Sequence, residues 1–295
     1  MNARIIARSQ PVALLPLPIS TRLAVSAANR PWLLAMESAI QTVHDRYVDA
    51  PNASGTTLLM ALRDVARSNL IELYGRDRDA MPGLNSYLLG EPKHVGGFGE
   101  ARAPRVQGDN HAIHCTHFNT KYAPHREKLV RAINTFGAAD FFPAHSPRFE
   151  DVGRGYTATY ILRGQAVQLT EIFLSRGQGR LKTEWSPMMR CISVQEIPQA
   201  LEILDHEVSL WHATSADAPH TQRERLGRIH WAASHAWPFE RGSAALADML
   251  TKLLADMRGV SLANWRPGVE PNIEALITPD ISLFARSYPH LFTTP

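Results

Sequence analysis

Cysteine is nearly absent: among 295 residues only Cys115 and Cys191 occur. Two thiols exclude a disulfide framework and a four-cysteine zinc site. Long apolar runs are missing as well, and nothing approaches the roughly 20 residues that span a bilayer, so no transmembrane segment is expected. A charge imbalance is also lacking, since 31 Lys and Arg against 28 Asp and Glu leave +3. That excludes the dense positive surface of a dedicated nucleic-acid binder, and no nucleic-acid partner is expected. Acidic residues are absent before Glu37, whereas Arg4, Arg8, Arg22 and Arg30 are present. The first 30 residues therefore read as a flexible secretion or targeting leader. Pro11, Pro16 and Pro18 break the apolar middle that a cleaved signal peptide needs. Position 2 is asparagine, so N-myristoylation of the chain as written is not expected.

What is present is globular, with 44% hydrophobic and 20% charged residues. Apolar spacing predicts helices over Pro31–Asp49, Thr56–Tyr74, Pro124–Phe136, Ile197–Trp211, Gln222–Trp237 and Ser243–Arg258. Period-two alternation from Tyr156 to Phe173, around Arg163-Gly164-Gln165, predicts a hairpin. The stretch from Arg76 to Asn110 is polar and glycine-bearing and reads as loop or short hairpins. The fold class is mainly α with a small β element, α+β at the margin.

Three local patterns bear on chemistry. In Ala236-Trp237-Pro238-Phe239-Glu240-Arg241-Gly242-Ser243-Ala244-Ala245 one helix ends and another opens at Ser243, an N-capping residue type. A helix start offers unpaired N–H groups and a positive dipole end, and Arg241 two residues earlier adds a donor fork that fits phosphate. The competing reading pairs Arg241 with a carboxylate between packed helices. The basic turn Asn119-Thr-Lys-Tyr-Ala-Pro-His125-Arg126-Glu-Lys128 also leads into a helix and forms a second anion-friendly place or a solvated basic surface. His111, His114, Cys115 and His117 carry four metal donors, but their spacing fits neither one helix face nor a zinc knuckle, so no metal site is expected. The glycine loop His94–Glu100 lacks both the dinucleotide glycine pattern and a P-loop Lys-Ser/Thr. Cys191 has no evident base beside it and reads as a structural thiol, and Ser243 does not sit in a Gly-x-Ser-x-Gly elbow.

The string Arg228-Ile-His230-Trp231-Ala-Ala-Ser-His-Ala-Trp-Pro238-Phe-Glu-Arg241-Gly-Ser-Ala-Ala245 resembles the signature segment of the AvrB/AvrC family, type III secreted effectors of plant-pathogenic bacteria. The resemblance continues through Trp265-Arg-Pro-Gly-Val-Glu-Pro-Asn272-Ile-Glu-Ala275 and reaches back through Tyr160–Leu169 to the Thr120–Arg131 turn and helix, about residues 110–292 in all. It implies a Fic/Doc-like ("Fido") helical bundle with an added upper lobe near 76–190, in one domain over 31–295. It further implies a cleft that holds a nucleotide and a peptide of a plant immune regulator, and transfer of a rhamnose-like sugar from a nucleotide diphosphate sugar to Ser or Thr. No bound cofactor is implied, the nucleotide sugar being a co-substrate. By resemblance Arg241 and Asn272 fall on the nucleotide side; from the helix start and the basic turn, Gly242 and Ser243 are expected to join them, with Arg126 or Lys128 as a second phosphate clamp. Thr120, Tyr122 and Cys191 fall where host peptide binds, and His125 is the candidate proton acceptor. Two positions depart from the family: Asn272 stands where it has an aspartate and Cys191 near a histidine. These departures leave open a non-enzymatic effector that grips a host peptide in a degenerate cleft. The Fic histidine position holds Trp237, which disfavours AMP transfer, because an indole offers no proton-accepting nitrogen.

Overall fold

The computed structural model describes residues 30–50, 52–74, 112–114, 123–142, 152–176, 185–190, 192, 194–214, 219–239, 243–263 and 265–293. The leader, the glycine loop and Gly75, the expected stop of the second helix, lie outside the described residues. Helices α1 (Arg30–Tyr47) and α2 (Gly55–Tyr74) come first. Strand β1 (Ala112–His114), helix α3 (Ala123–Phe136) and strands β2 (Val152–Leu162), β3 (Gln165–Arg176) and β4 (Trp185–Arg190) follow. The chain then turns helical through α4 (Ile197–Ala213), α5 (Pro219–Ala236), α6 (Ser243–Met257), α7 (Pro271–Leu276) and α8 (Ile281–Ser287). The described residues are thus mainly helical with one small sheet.

Helix α5 is the hub. Leu226, Ile229, His230 and every residue from Trp231 to Ala236 are buried, and α4, α6, α7 and α8 all pack around it. Its alanines let these neighbours come close, and Gly227 does so most sharply. A methyl group there would stand 2.7 Å from Tyr288 Cβ. Helix α6 is buried from Ala245 to Ala255 without interruption, the pattern of a helix surrounded by protein.

The sheet is antiparallel throughout, in the order β1-β4-β3-β2. The expected hairpin is present and extends beyond Tyr156–Phe173 at both ends. Its turn uses Arg163 and Gly164 with φ of 52° and 80°, the doubly left-handed geometry that matches strand twist. Strand β4 was not foreseen: Pro187 disrupts its pattern, and its six residues are too short for a clear period.

Two apolar clusters result. The larger gathers α1, α2, α4, α5, α6 and α8 with Ala158, Tyr160, Leu162, Val167 and Leu169 of the sheet. The smaller joins Leu129, Ala132 and Ile133 of α3 to Tyr156, Ile172, Met189, Leu276 and Ile277, with Trp237, Ile273 and Leu174 packed alongside. One sheet serves both clusters because the β2–β3 register shifts by a residue between Thr157 and Thr159. Inward-facing β3 positions are odd at Val167 and Leu169 and even at Ile172, as a bulge requires.

Candidate functional site

The smaller cluster brings together segments that are far apart in sequence. Leu129 lies one turn beyond His125 and Arg126, Met189 lies two residues before Cys191, and Ile273 adjoins Asn272. Trp237 leads through Pro238 and Phe239 toward Arg241. Thr120, Tyr122, Cys191, Arg241 and Gly242 themselves lie outside the described residues, as do the side chains of His125 and Arg126. The His111–Cys115 stretch forms β1 over Ala112–His114, with its side chains likewise outside the description. Among the described residues no group of His, Cys, Asp or Glu could hold a metal ion.

The turn between α5 and α6 differs from expectation in two ways. Helix α5 stops at Ala236, not Trp237. The ring of Pro238 disfavours helical backbone at the residue before it, which ends the helix there, and Trp237 takes φ 38°, in the left-handed region. Ser243 opens α6 as expected, but its hydroxyl turns back: Oγ donates to Phe239 O at 3.1 Å and accepts from Phe239 N at 3.2 Å. It is buried, and its oxygen is engaged with the backbone of Phe239.

Asn272, the second residue of α7, is 5% exposed, and its buried Oδ1 has no hydrogen-bond partner among the described residues. A buried amide oxygen without a donor is costly, by about 1–3 kcal/mol. The short helix that carries it is held at its C-terminal end through the carbonyls of Ala275, Ile277 and Thr278. A helix end leaves C=O groups unpaired, and here three side chains supply donors. Tyr156 Oη donates to Ile277 O at 2.6 Å and Trp231 Nε1 to Thr278 O at 2.9 Å. His235 Nε2 donates to Ala275 O at 3.2 Å.

His235 has a fixed tautomer. A carbonyl can only accept, so Nε2 carries the proton and Nδ1 accepts from Thr170 Oγ1 at 2.8 Å. Complete burial lowers its pKa to about 3, so the ring stays neutral. Lys128, expected near a phosphate, has partners within the protein. Its Nζ donates to Glu274 Oε1 at 2.5 Å and to Gly268 O at 3.3 Å, so a carboxylate already faces its charge.

Arg228, the first residue of the motif string, serves the larger core. Its Nε and Nη2 donate to Glu207 Oε2 and Oε1 at 2.7 and 2.8 Å, and Tyr160 Oη donates to Oε1 at 2.6 Å. Glu207 has no exposed surface, so this fork neutralises a buried carboxylate between sheet, α4 and α5.

Sequence reasoning missed the parts that fasten α7. Lys128 and Glu274 stand 146 residues apart, and no local pattern couples them. Trp231 and His235 lie inside the recognised string, yet their roles depend on carbonyls about 40 or more positions further on.

The class of protein defined by these features is a mainly helical one with a small antiparallel sheet, whose motif segments meet at one apolar cluster. The family model AvrB_AvrC, described as avirulence protein, matches residues 162–295 of the chain. The match contains Cys191, Arg241, Gly242, Ser243 and Asn272, while Thr120, Tyr122, His125, Arg126 and Lys128 precede it. No curated protein matches the chain. No helix among the described residues is long and apolar enough to cross a membrane.

Proposed function

We propose that this protein is an avirulence effector exported through its acid-free leader into plant cells, where it transfers a sugar from a nucleotide diphosphate sugar to Ser or Thr of an immune regulator. The observation that carries this reading is the meeting of α3, the end of β4, Trp237 and α7 in one cluster. What supports it is that Leu129, Met189, Trp237 and Ile273, which are near neighbours in sequence of the candidate residues, share that cluster. In the transfer, the acceptor oxygen attacks the anomeric carbon as the bond from that carbon to the diphosphate breaks. The electron pair leaves with the nucleoside diphosphate, and the hydroxyl proton passes to a base, for which His125 is our candidate. Arg241, the first amides of α6 and Arg126 stabilise the charge that grows on the diphosphate. Ser243 is not a nucleophile in this scheme, since its hydroxyl is held by Phe239.

Losing one charged contact of this kind costs about 10²–10³ in rate. Arg241→Ala should therefore abolish donor binding and transfer while leaving the helical circular dichroism spectrum unchanged. Intact-mass spectrometry of candidate plant proteins, incubated with the chain and a panel of activated sugars, reads the transfer directly. Full transfer by the Arg241→Ala variant would refute the role of Arg241.

One observation favours a second reading, an effector that only grips a peptide. Asn272 presents a neutral amide where the family has a carboxylate, and its buried Oδ1 calls for a donor. Calorimetry separates the two readings: saturable binding of a nucleotide sugar supports the enzyme, and peptide binding without it supports the gripping protein.

A further inference from the structure

Helix α3 is held in two places. Its apolar stripe of Leu129, Ala132 and Ile133 rests in the smaller cluster. On its flank Lys128 reaches Glu274 of α7 and the carbonyl of Gly268, in the loop that leads into α7. Gly268 sits at φ 79°, a conformation that side chains rarely adopt, so its carbonyl direction is set by a residue suited to that turn. Helix α7 is in turn fastened to β2 and α5 by Tyr156, His235 and Trp231. Lys128 and Glu274 are each 25% exposed, which is partial shielding for an ion pair. The consequence is positional. His125 and Arg126 are three and two residues from Lys128, and Asn272 is two from Glu274. One ion pair therefore sets the distance between the first turn of α3 and the start of α7.

We infer that Lys128 and Glu274 are positioning residues that brace the cleft, and that Lys128 is not itself a phosphate ligand. This rests on the cleft reading above. A phosphate ligand of this charge would leave its nearest carboxylate dispensable; a brace makes the two side chains equivalent. Breaking the pair from either side should loosen the same two helices and weaken an anion held between them by the same factor. For a pair shielded to this degree that factor is about 5–10, since tenfold corresponds to 1.4 kcal/mol.

The test uses the full chain and three variants: Lys128→Met, Glu274→Gln and the charge swap Lys128→Glu with Glu274→Lys. Two quantities are measured, amide hydrogen exchange in the absence of ligand and calorimetric affinity for ADP, GDP, UDP, CDP and dTDP. Each single variant should speed exchange in α3 and α7, leave α1 and α2 unchanged, and weaken the best diphosphate by about 5–10-fold. The swap should restore both quantities to within about threefold of the original. Loss of binding on Lys128→Met with none on Glu274→Gln, or a swap that binds no better than Lys128→Met, would overturn the brace in favour of direct phosphate contact. Unchanged exchange in both single variants would overturn it outright. If the unaltered chain binds no diphosphate, the cleft reading fails on its own, and the exchange data alone then decide whether the pair braces the two helices.

Discussion

Acidification should unfold this protein in a way that two buried histidines dictate. His230 and His235 lie on α5 and are completely enclosed, and burial lowers their pKa values to about 4 and about 3 from the usual 6.5. His230 faces Thr251, Asp248 and Lys252 of α6 and the rings of Trp265, Phe284 and Tyr288. The buried Asp248–Lys252 pair, at 2.6 Å, favours the imidazolium through its acid and opposes it through its base, so desolvation decides. Both rings are therefore neutral in the folded chain at pH 5, whereas in the unfolded chain both are largely protonated. The unfolded state binds more protons, and stability falls as the pH drops below about 6.5.

Between pH 7 and pH 5 each ring costs about 2 kcal/mol, and the two together about 4 kcal/mol, a large part of a domain's usual 5–15 kcal/mol. Urea titrations followed by circular dichroism at pH 7, 6 and 5 would measure it. The limiting slope for two such groups is about 2.7 kcal/mol per pH unit. His235→Gln keeps a donor for Ala275 O but does not titrate, and it should reduce the slope by nearly half. A slope in that variant equal to the original would show that His235 is not held neutral, and the reasoning from burial would be wrong.

Three further outcomes follow from the packing. Tyr156→Phe removes the donor to Ile277 O and should destabilise by about 1–3 kcal/mol, with the fastest new amide exchange in α7. Arg228→Ala strands the Glu207 carboxylate and should cost about 3–5 kcal/mol, while Arg225→Ala, whose guanidinium stands 3.9 Å away, should cost far less in the same melts. Gly227→Ala drives a methyl group into Tyr288 and should lower stability by about 1–3 kcal/mol in urea titration; an unchanged midpoint would mean that α8 can shift outward freely.

Much of this architecture is legible in the sequence wherever a rule acts over a few residues. Helix periodicity locates α1 to α6 within a few positions, and the glycine at 164 marks the hairpin turn. Where neighbours far along the chain decide, the sequence is silent. The offset between β2 and β3 arises because Tyr156 must meet α3 while Tyr160 must meet Glu207, and no alternation pattern states that demand. The anion site follows the same division: Arg241 before a helix start is a local signal, and so is the cap-type serine. That Ser243 would be taken by Phe239, and Lys128 by Glu274, depends on surfaces that exist only after folding. Trp237 stands between the two cases, since Pro238 predicts a break there but not the left-handed turn that an indole adopts.

The single sheet that serves two hydrophobic interiors has a thermodynamic corollary. Because β2 and β3 contribute side chains to both, neither interior can lose its packing without stripping strands from the other. Heating should thus produce one calorimetric peak whose van't Hoff and measured enthalpies agree, despite the two interiors. Removing one residue at Leu169 or Thr170 would realign the strands and set the inward-facing residues of one half against solvent. A chain shortened there by a single position should melt as two separate events, or lose the smaller interior altogether.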